Sequence, residues 1–182
     1  MVRDNGVAAA RWLMLAGVLA AGLAEAHEVG GVQMPDTLEL QNHRLELAHM
    51  ELKRKLFFDI YVWGLYMEQI PHMEAEAIAA NTIKRLHFRF LRNIRREQLV
   101  GAFRQGLSVN PALRSGPLQQ EMEKLLQSLR DVKDGDDLIL TYEPSTGLKV
   151  SGEASGGVVI PGKCFADALF TAWLQKNPVF PR

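Results

Sequence analysis

The chain of 182 residues is long enough to bury one sizeable core and short for two domains. Its 21 basic residues balance 21 acidic ones, which excludes a global electrostatic pull toward nucleic acid or an acidic membrane. The lone cysteine, Cys164, excludes an intrachain disulfide and with it the small disulfide-framed secreted class.

Residues 1–26 read as an export signal. Arg3 and Arg11 give a weakly basic start, Trp12–Leu23 is an apolar run, and Ala24-Glu25-Ala26 fits a peptidase site. The run is short for a membrane span. This predicts cleavage after Ala26 and a periplasmic or secreted domain over 27–182, with no membrane span left; a retained N-terminal anchor is the alternative.

His27–Gly31 reads as a flexible new terminus. Val32–Leu40 carries Pro35, which suits a strand start or an edge. After a turn at Asn42-His43, residues 45–50 alternate as a second strand. The basic step Lys53-Arg54-Lys55 then leads into the aromatic and β-branched run ending at Met67. Phe58, Ile60, Val62, Gly64 and Tyr66 share one face of that run. Phe57, Asp59, Tyr61, Trp63 and Leu65 share the other. Both faces are largely apolar, so this is a central strand covered on two sides.

Pro71 breaks the chain, and Glu74–Ala80 is a short helix. In the strand Ile83–Leu91, Leu86, Phe88 and Phe90 oppose Arg85, His87 and Arg89. Helices follow over 95–107 and 118–132, the second with Met122, Leu125, Leu126, Leu129 and Val132 at helical spacing. Short strands are expected at 138–142, 148–151 and 158–160, separated by turns. A closing helix carries Phe165, Leu169 and Trp173. Strands, helices, strands and a helix in that order predict an α+β domain: an antiparallel sheet with helices packed on one side.

The run Lys-Leu-Phe-Phe-Asp-Ile-Tyr-Val-Trp-Gly-Leu-Tyr-Met (55–67) resembles the core strand of the chalcone isomerase-like family, in which an arginine and a short spacer precede Phe-Phe-Lys-Val-Tyr-x-x-x-Leu-Tyr. Leu86–Arg92, Gly135–Tyr142 and the closing helix, through Phe165, Leu169, Phe170, Trp173 and Leu174, extend the resemblance over most of residues 32–178. It implies a curved antiparallel sheet packed against a helical layer. It also implies a cleft in which plant isomerases close a ring by adding a phenolate to an enone, and in which fatty-acid-binding relatives hold a carboxylate with an arginine and a tyrosine. An anion in an apolar cleft needs a fixed cation and hydrogen-bond donors.

By register from Phe58, a Gly-x-Gly-x-Arg element of bacterial relatives falls on His49, Glu51 and Lys53, and the isomerase threonine falls on Tyr61. Neither the arginine nor the threonine is retained at those positions, although Arg54 lies one residue away. The candidate ligand-binding residues are therefore Lys53, Arg54, Tyr61 and Arg89, and no catalytic residue is assigned. The bland readings are a solvated strand entrance for Lys53 and Arg54, a core tyrosine for Tyr61, and a solvated sheet face for Arg85, His87 and Arg89. Asp59 reads as an outward-facing residue near a strand end, an ion-pair partner for Arg89, with a catalytic carboxylate as the alternative.

His27, His43, His49, His72 and His87 have no metal-ligand spacing. There is no nucleophile elbow and no phosphate-cradling glycine loop. No cofactor is implied, and Phe88 and Phe90, facing away from the basic stripe, do not make a nucleic-acid stacking platform. Cys164, opening an apolar helix, reads as a buried structural thiol. The expectation is an exported domain that binds a small apolar anion, such as a fatty acid, without catalysis. The alternatives are an isomerase of the intramolecular lyase type with altered active-site residues, and an envelope protein-interaction module.

Overall fold

The computed structural model describes residues 26–181. The expected export segment, apart from Ala26, lies outside the described residues.

Seven strands form one antiparallel meander in chain order: β3 (Thr37–Leu40), β4 (His43–Lys55), β5 (Phe58–Met67), β6 (Lys84–Phe90), β7 (Asp137–Glu143), β8 (Gly147–Ser151) and β9 (Val158–Ile160). Helices α1 (Glu74–Ala79), α2 (Arg96–Leu107), α3 (Pro111–Ser115), α4 (Gln119–Ser128) and α5 (Lys163–Lys176) occupy the connections and the C-terminal segment. The segregated order of elements thus yields the α+β arrangement that the patterning predicts.

The central strand is buried on both faces, as its alternation requires. Trp63, Leu65 and Met67 join the main core with β6–β8 and the helices, while Val62 and Tyr66 join a smaller core on the opposite face. That second core is roofed by a hairpin of β1 (Ala26–Val29) and β2 (Val32–Pro35), which inserts Val32 and Met34 against Leu45, Val62, Tyr66 and Ile83. The Tyr66 hydroxyl donates to the Pro35 carbonyl at 3.0 Å. His27–Gly31, expected as a loose terminus, is half of this hairpin, because Gly30 and Gly31 supply the positive-φ turn that returns Val32 to the sheet.

Three further expectations are corrected. Lys53-Arg54-Lys55 ends β4 rather than opening β5, and the chain reverses through Leu56-Phe57. The long helix expected to reach Val132 stops at Ser128. Leu129 and Val132 are still buried, but as extended residues bridged to Ser155 and Ile94. Cys164 is exposed.

β4 and β5 do not pair evenly. Leu47 opposes Tyr66 while His49 opposes Leu65, which leaves Ala48 as an extra residue; Lys53 opposes Tyr61 while Arg54 opposes Asp59, which leaves Ile60. Such bulges bend a strand and re-aim the side chains around them. His49 lies within β4, as the alternation over 45–50 predicts, and Glu51 follows it in the same strand.

Lys84 is the main buried cation. Its ammonium donates to the Ala77 and Ile78 carbonyls at 2.8 and 2.7 Å, closing the C-terminal end of α1, and lies 5.7 Å from the Tyr142 and Phe170 ring centres. Burial pushes its pKa down to about 8, with Asp167 opposing and Lys163 reinforcing. Burial pushes the Tyr61 and Tyr66 hydroxyls up to about 12. Between pH 8 and the ordinary lysine value of 10.5, the unfolded chain holds the Lys84 proton that the fold releases, so stability rises with pH. Above the ordinary tyrosine value of 10.0, the fold keeps protons that the unfolded chain loses, and stability falls. Denaturant melts across this range should trace that rise and fall, and Lys84→Met should remove the rise. A monotonic profile in the parent protein contradicts the assignment.

Candidate ligand cleft

An apolar cavity of about 100 Å³ lies between α2 and the helix-facing side of β5 and β6, with Trp173 of α5 in its wall. Its floor is a set of edge-on aromatic contacts. Tyr61 meets Phe88 and Phe90 at 5.6 and 5.9 Å between ring centres. Trp173 stands nearly perpendicular to Phe88 at 5.0 Å and to Trp63 at 5.4 Å. Leu99, Phe103 and Leu107, one stripe of α2, supply the opposite wall. A side chain on Gly106 would meet nothing within 4 Å, so this glycine leaves open space beside the cavity.

The bulge at Ile60 matters here. Strict alternation assigns Ile60 to the face of Val62, yet both Ile60 and Tyr61 line the cavity. Sequence reading therefore missed Ile60, because a bulge leaves no residue-type signature in this aromatic run. It also did not pick out Trp173 as a site residue, although the helical stripe through Phe165 and Leu169 pointed it at the core.

Only three side chains of the cavity wall carry hydrogen-bonding groups: the Tyr61 hydroxyl, the Gln98 amide and the Trp173 indole. The indole Nε1 is buried with no hydrogen-bond acceptor among the described residues. Tyr61 is the one titratable residue in the wall, and at about 12 its pKa keeps it a proton donor at neutral pH. The wall can thus donate hydrogen bonds to an acceptor on an apolar ligand, and it supplies no group poised to take a proton near neutrality.

The four candidate residues are dispersed. Tyr61 lines the cavity. Lys53 is its cross-strand partner and shares its face; the Lys53 ammonium donates to Asn177 Oδ1 at 3.3 Å, beside the C-terminus of α5, where the helix dipole also favours a cation. Arg54 turns away and pairs with Asp59 at 2.6 Å in solvent. Arg89 lies on the far face of the sheet, where it grips Asp137 at 2.7 Å beside His87, which lies 3.1 Å from the same carboxylate. Asp59 is therefore the partner of Arg54 and not of Arg89. The expected solvated stripe is half-buried and engaged with β7, since Arg85 also donates to Thr141 Oγ1 at 3.0 Å. The cations of Arg54 and Arg89 do not converge on the cavity.

Beside Lys53 on the same face of β4, Glu51 accepts a hydrogen bond from Trp63 Nε1 at 3.3 Å, and the His49 ring lies 5.0 Å from that of Trp63. The two positions where the family resemblance places glycines thus carry side chains that pack on the aromatic floor. Among the described residues no cluster of histidine, cysteine, aspartate and glutamate has the geometry to hold a metal ion, and no helix is long and apolar enough to cross a membrane.

This sheet-and-helix architecture with an apolar cleft between its layers is that of a known family. The family model described as chalcone isomerase-like matches residues 26–180, and the chain belongs to that family. A crystal structure of a fatty-acid binding protein from Arabidopsis thaliana superposes with a TM-score of 0.63 at 12% identity, over 86% of this chain and 92% of that one. At that identity the likeness shows a shared fold. A search of curated protein sequences finds no match to this chain.

Proposed function

We propose that this protein binds a small apolar anion, of the fatty-acid type, without chemical turnover. The observation that carries the reading is the makeup of the cavity wall: aromatic and aliphatic surface with three side chains able to donate hydrogen bonds, Tyr61, the Gln98 amide and the unpartnered Trp173 indole, and no general base. The apolar tail would lie among Phe88, Phe90, Leu99 and Phe103. The carboxylate would lie at the Tyr61 edge, next to the Lys53–Asn177 pair. The fatty-acid binding protein of the same fold gives the ligand class a precedent.

The size of the cavity narrows the ligand. A cavity of ~150 Å³ admits benzene; one of about 100 Å³ takes the end of a chain or a short branched acid rather than a whole long-chain fatty acid. Calorimetric titration with straight-chain acids of increasing length tests this. Affinity should rise over the short members and stop rising once the cavity is filled. Tyr61→Phe and Lys53→Ala should each weaken binding about tenfold, the loss of one hydrogen bond or ion contact to a charged group, while Arg89→Ala should leave it unchanged. No binding by any acid, or equal binding in the Tyr61 and Lys53 variants, overturns the reading.

Export remains part of the proposal on the strength of residues 1–26 alone. Amino-terminal sequencing of the protein from its native cell should begin at His27, and a chain beginning at Met1 contradicts it.

A further inference from the structure

The β4–β5 hairpin ends in a tip that the fold does not use. Leu56, Phe57 and Phe58 are 83%, 97% and 56% exposed, three consecutive large apolar side chains left largely in solvent. Leu56 also has a φ of 57°, the left-handed region where a two-residue hairpin turn favours glycine or asparagine. Both choices work against the folded monomer: strain at a position that prefers glycine, and apolar surface left in water. Local rules broken without compensation inside a fold point to an external use.

The surroundings say which use. Lys55 precedes the tip, Arg54 stands beside it, and the Arg92 guanidinium sits 4.6 Å from the Phe58 ring centre. Asp59 is the only carboxylate on the hairpin tip, and Arg54 already pairs with it. The chain as a whole is neutral, so this positive charge is local. An apolar tip ringed by cations has the layered chemistry of an anionic bilayer surface, aromatic and leucine side chains entering below the headgroups and cations remaining among them, with no shape-matched pocket required.

We propose that the Leu56-Phe57-Phe58 tip docks this domain on an anionic phospholipid surface, with Lys55 and Arg92 among the headgroups. Ile60 and Tyr61, two and three residues along the same strand, line the cavity, so docking brings the cavity close to lipid. The proposal stands on the tip alone and holds whether or not the cavity proves to bind an acid.

The test uses residues 26–182, which hold both cores and every strand pairing found among the described residues and omit the apolar run at 12–23. Phosphatidylcholine vesicles with and without phosphatidylglycerol are sedimented with the protein. The expected result is association with the anionic vesicles, weakened about fivefold by Lys55→Ala and by raised salt. The double variant Leu56→Ser, Phe57→Ser should reduce it tenfold or more, with an unchanged thermal midpoint because neither side chain is buried. Phe57→Trp should show blue-shifted emission on those vesicles only. Failure to associate with anionic vesicles, or association that the tip variants leave intact, overturns the proposal. So does tip-dependent self-association in the absence of lipid, which would make the tip a contact between copies.

Discussion

Trp63→Ala should destabilise the domain by about 3–5 kcal/mol, the usual range for emptying a buried aromatic site. Trp63 has no exposed surface and sits on the helix-facing side of the central strand. It touches Trp173 edge-on at 5.4 Å, and the His49 ring lies 5.0 Å from its own. Small domains are stable by about 5–15 kcal/mol in total, so the variant loses a large fraction of its margin. The denaturant midpoint should fall with an unchanged slope, the sign of lost native stability rather than a changed unfolded state. The hole opens next to the cavity, behind Trp173. A longer apolar acid should therefore recover part of the loss in the variant and little in the parent protein, since a ligand stabilises whichever state binds it. A cost under about 1 kcal/mol would mean that the helical layer collapses freely onto the sheet, against the close-packed floor described above.

Gly147→Ala should cost a similar amount for a different reason. Gly147 opens β8 with a φ of 103°, and a Cβ there would lie 2.3 Å from the Ile160 carbonyl oxygen and 2.7 Å from Pro161 Cα. Both are backbone atoms of the neighbouring segment and cannot rotate away. Backbone strain of ~1–3 kcal/mol and an overpacking term of ~1–3 kcal/mol together give about 2–6 kcal/mol. Thermal unfolding of the variant should show a large drop in midpoint. Gly106→Ala is the internal control: its Cβ meets open space and replaces a helical glycine, so the midpoint should hold or rise.

The contrast between these two glycines also shows what the sequence could and could not disclose. Nothing in the string Thr146-Gly147-Leu148 distinguishes a glycine pressed against a carbonyl from one that merely starts a strand. The central strand, by contrast, was legible because period-two alternation from Tyr61 to Met67 survives unbroken into the structure. Alternation failed where a bulge intervened, at Ile60, and there it misassigned a cavity residue. The reversal at Leu56-Phe57 was invisible for a related reason: leucine and phenylalanine are not turn formers, so an aromatic run that folds back on its basic neighbours reads as one continuous strand. Leu129 and Val132 were rightly expected inside, yet burial alone does not separate the end of a helix from an extended segment bridged to a neighbour. As for the site, Tyr61 and Lys53 both follow from the register of the family resemblance, at the positions of its threonine and its arginine, and their cross-strand pairing becomes visible only in the fold. Arg54 stands one residue from the family's arginine position and Arg89 on the basic face of its strand, but which carboxylate meets a cation depends on pairings such as Arg89 with Asp137 that span 48 residues of sequence.

The claim that the cavity is a binding site for an apolar acid is tested most directly by native mass spectrometry of the protein purified from its own cells, followed by extraction and identification of what it carries. The account predicts a stoichiometric short or medium apolar acid, retained in Arg89→Ala and lost in Tyr61→Phe combined with Lys53→Ala. Protein of clean unliganded mass that also takes up no acid on incubation would contradict it.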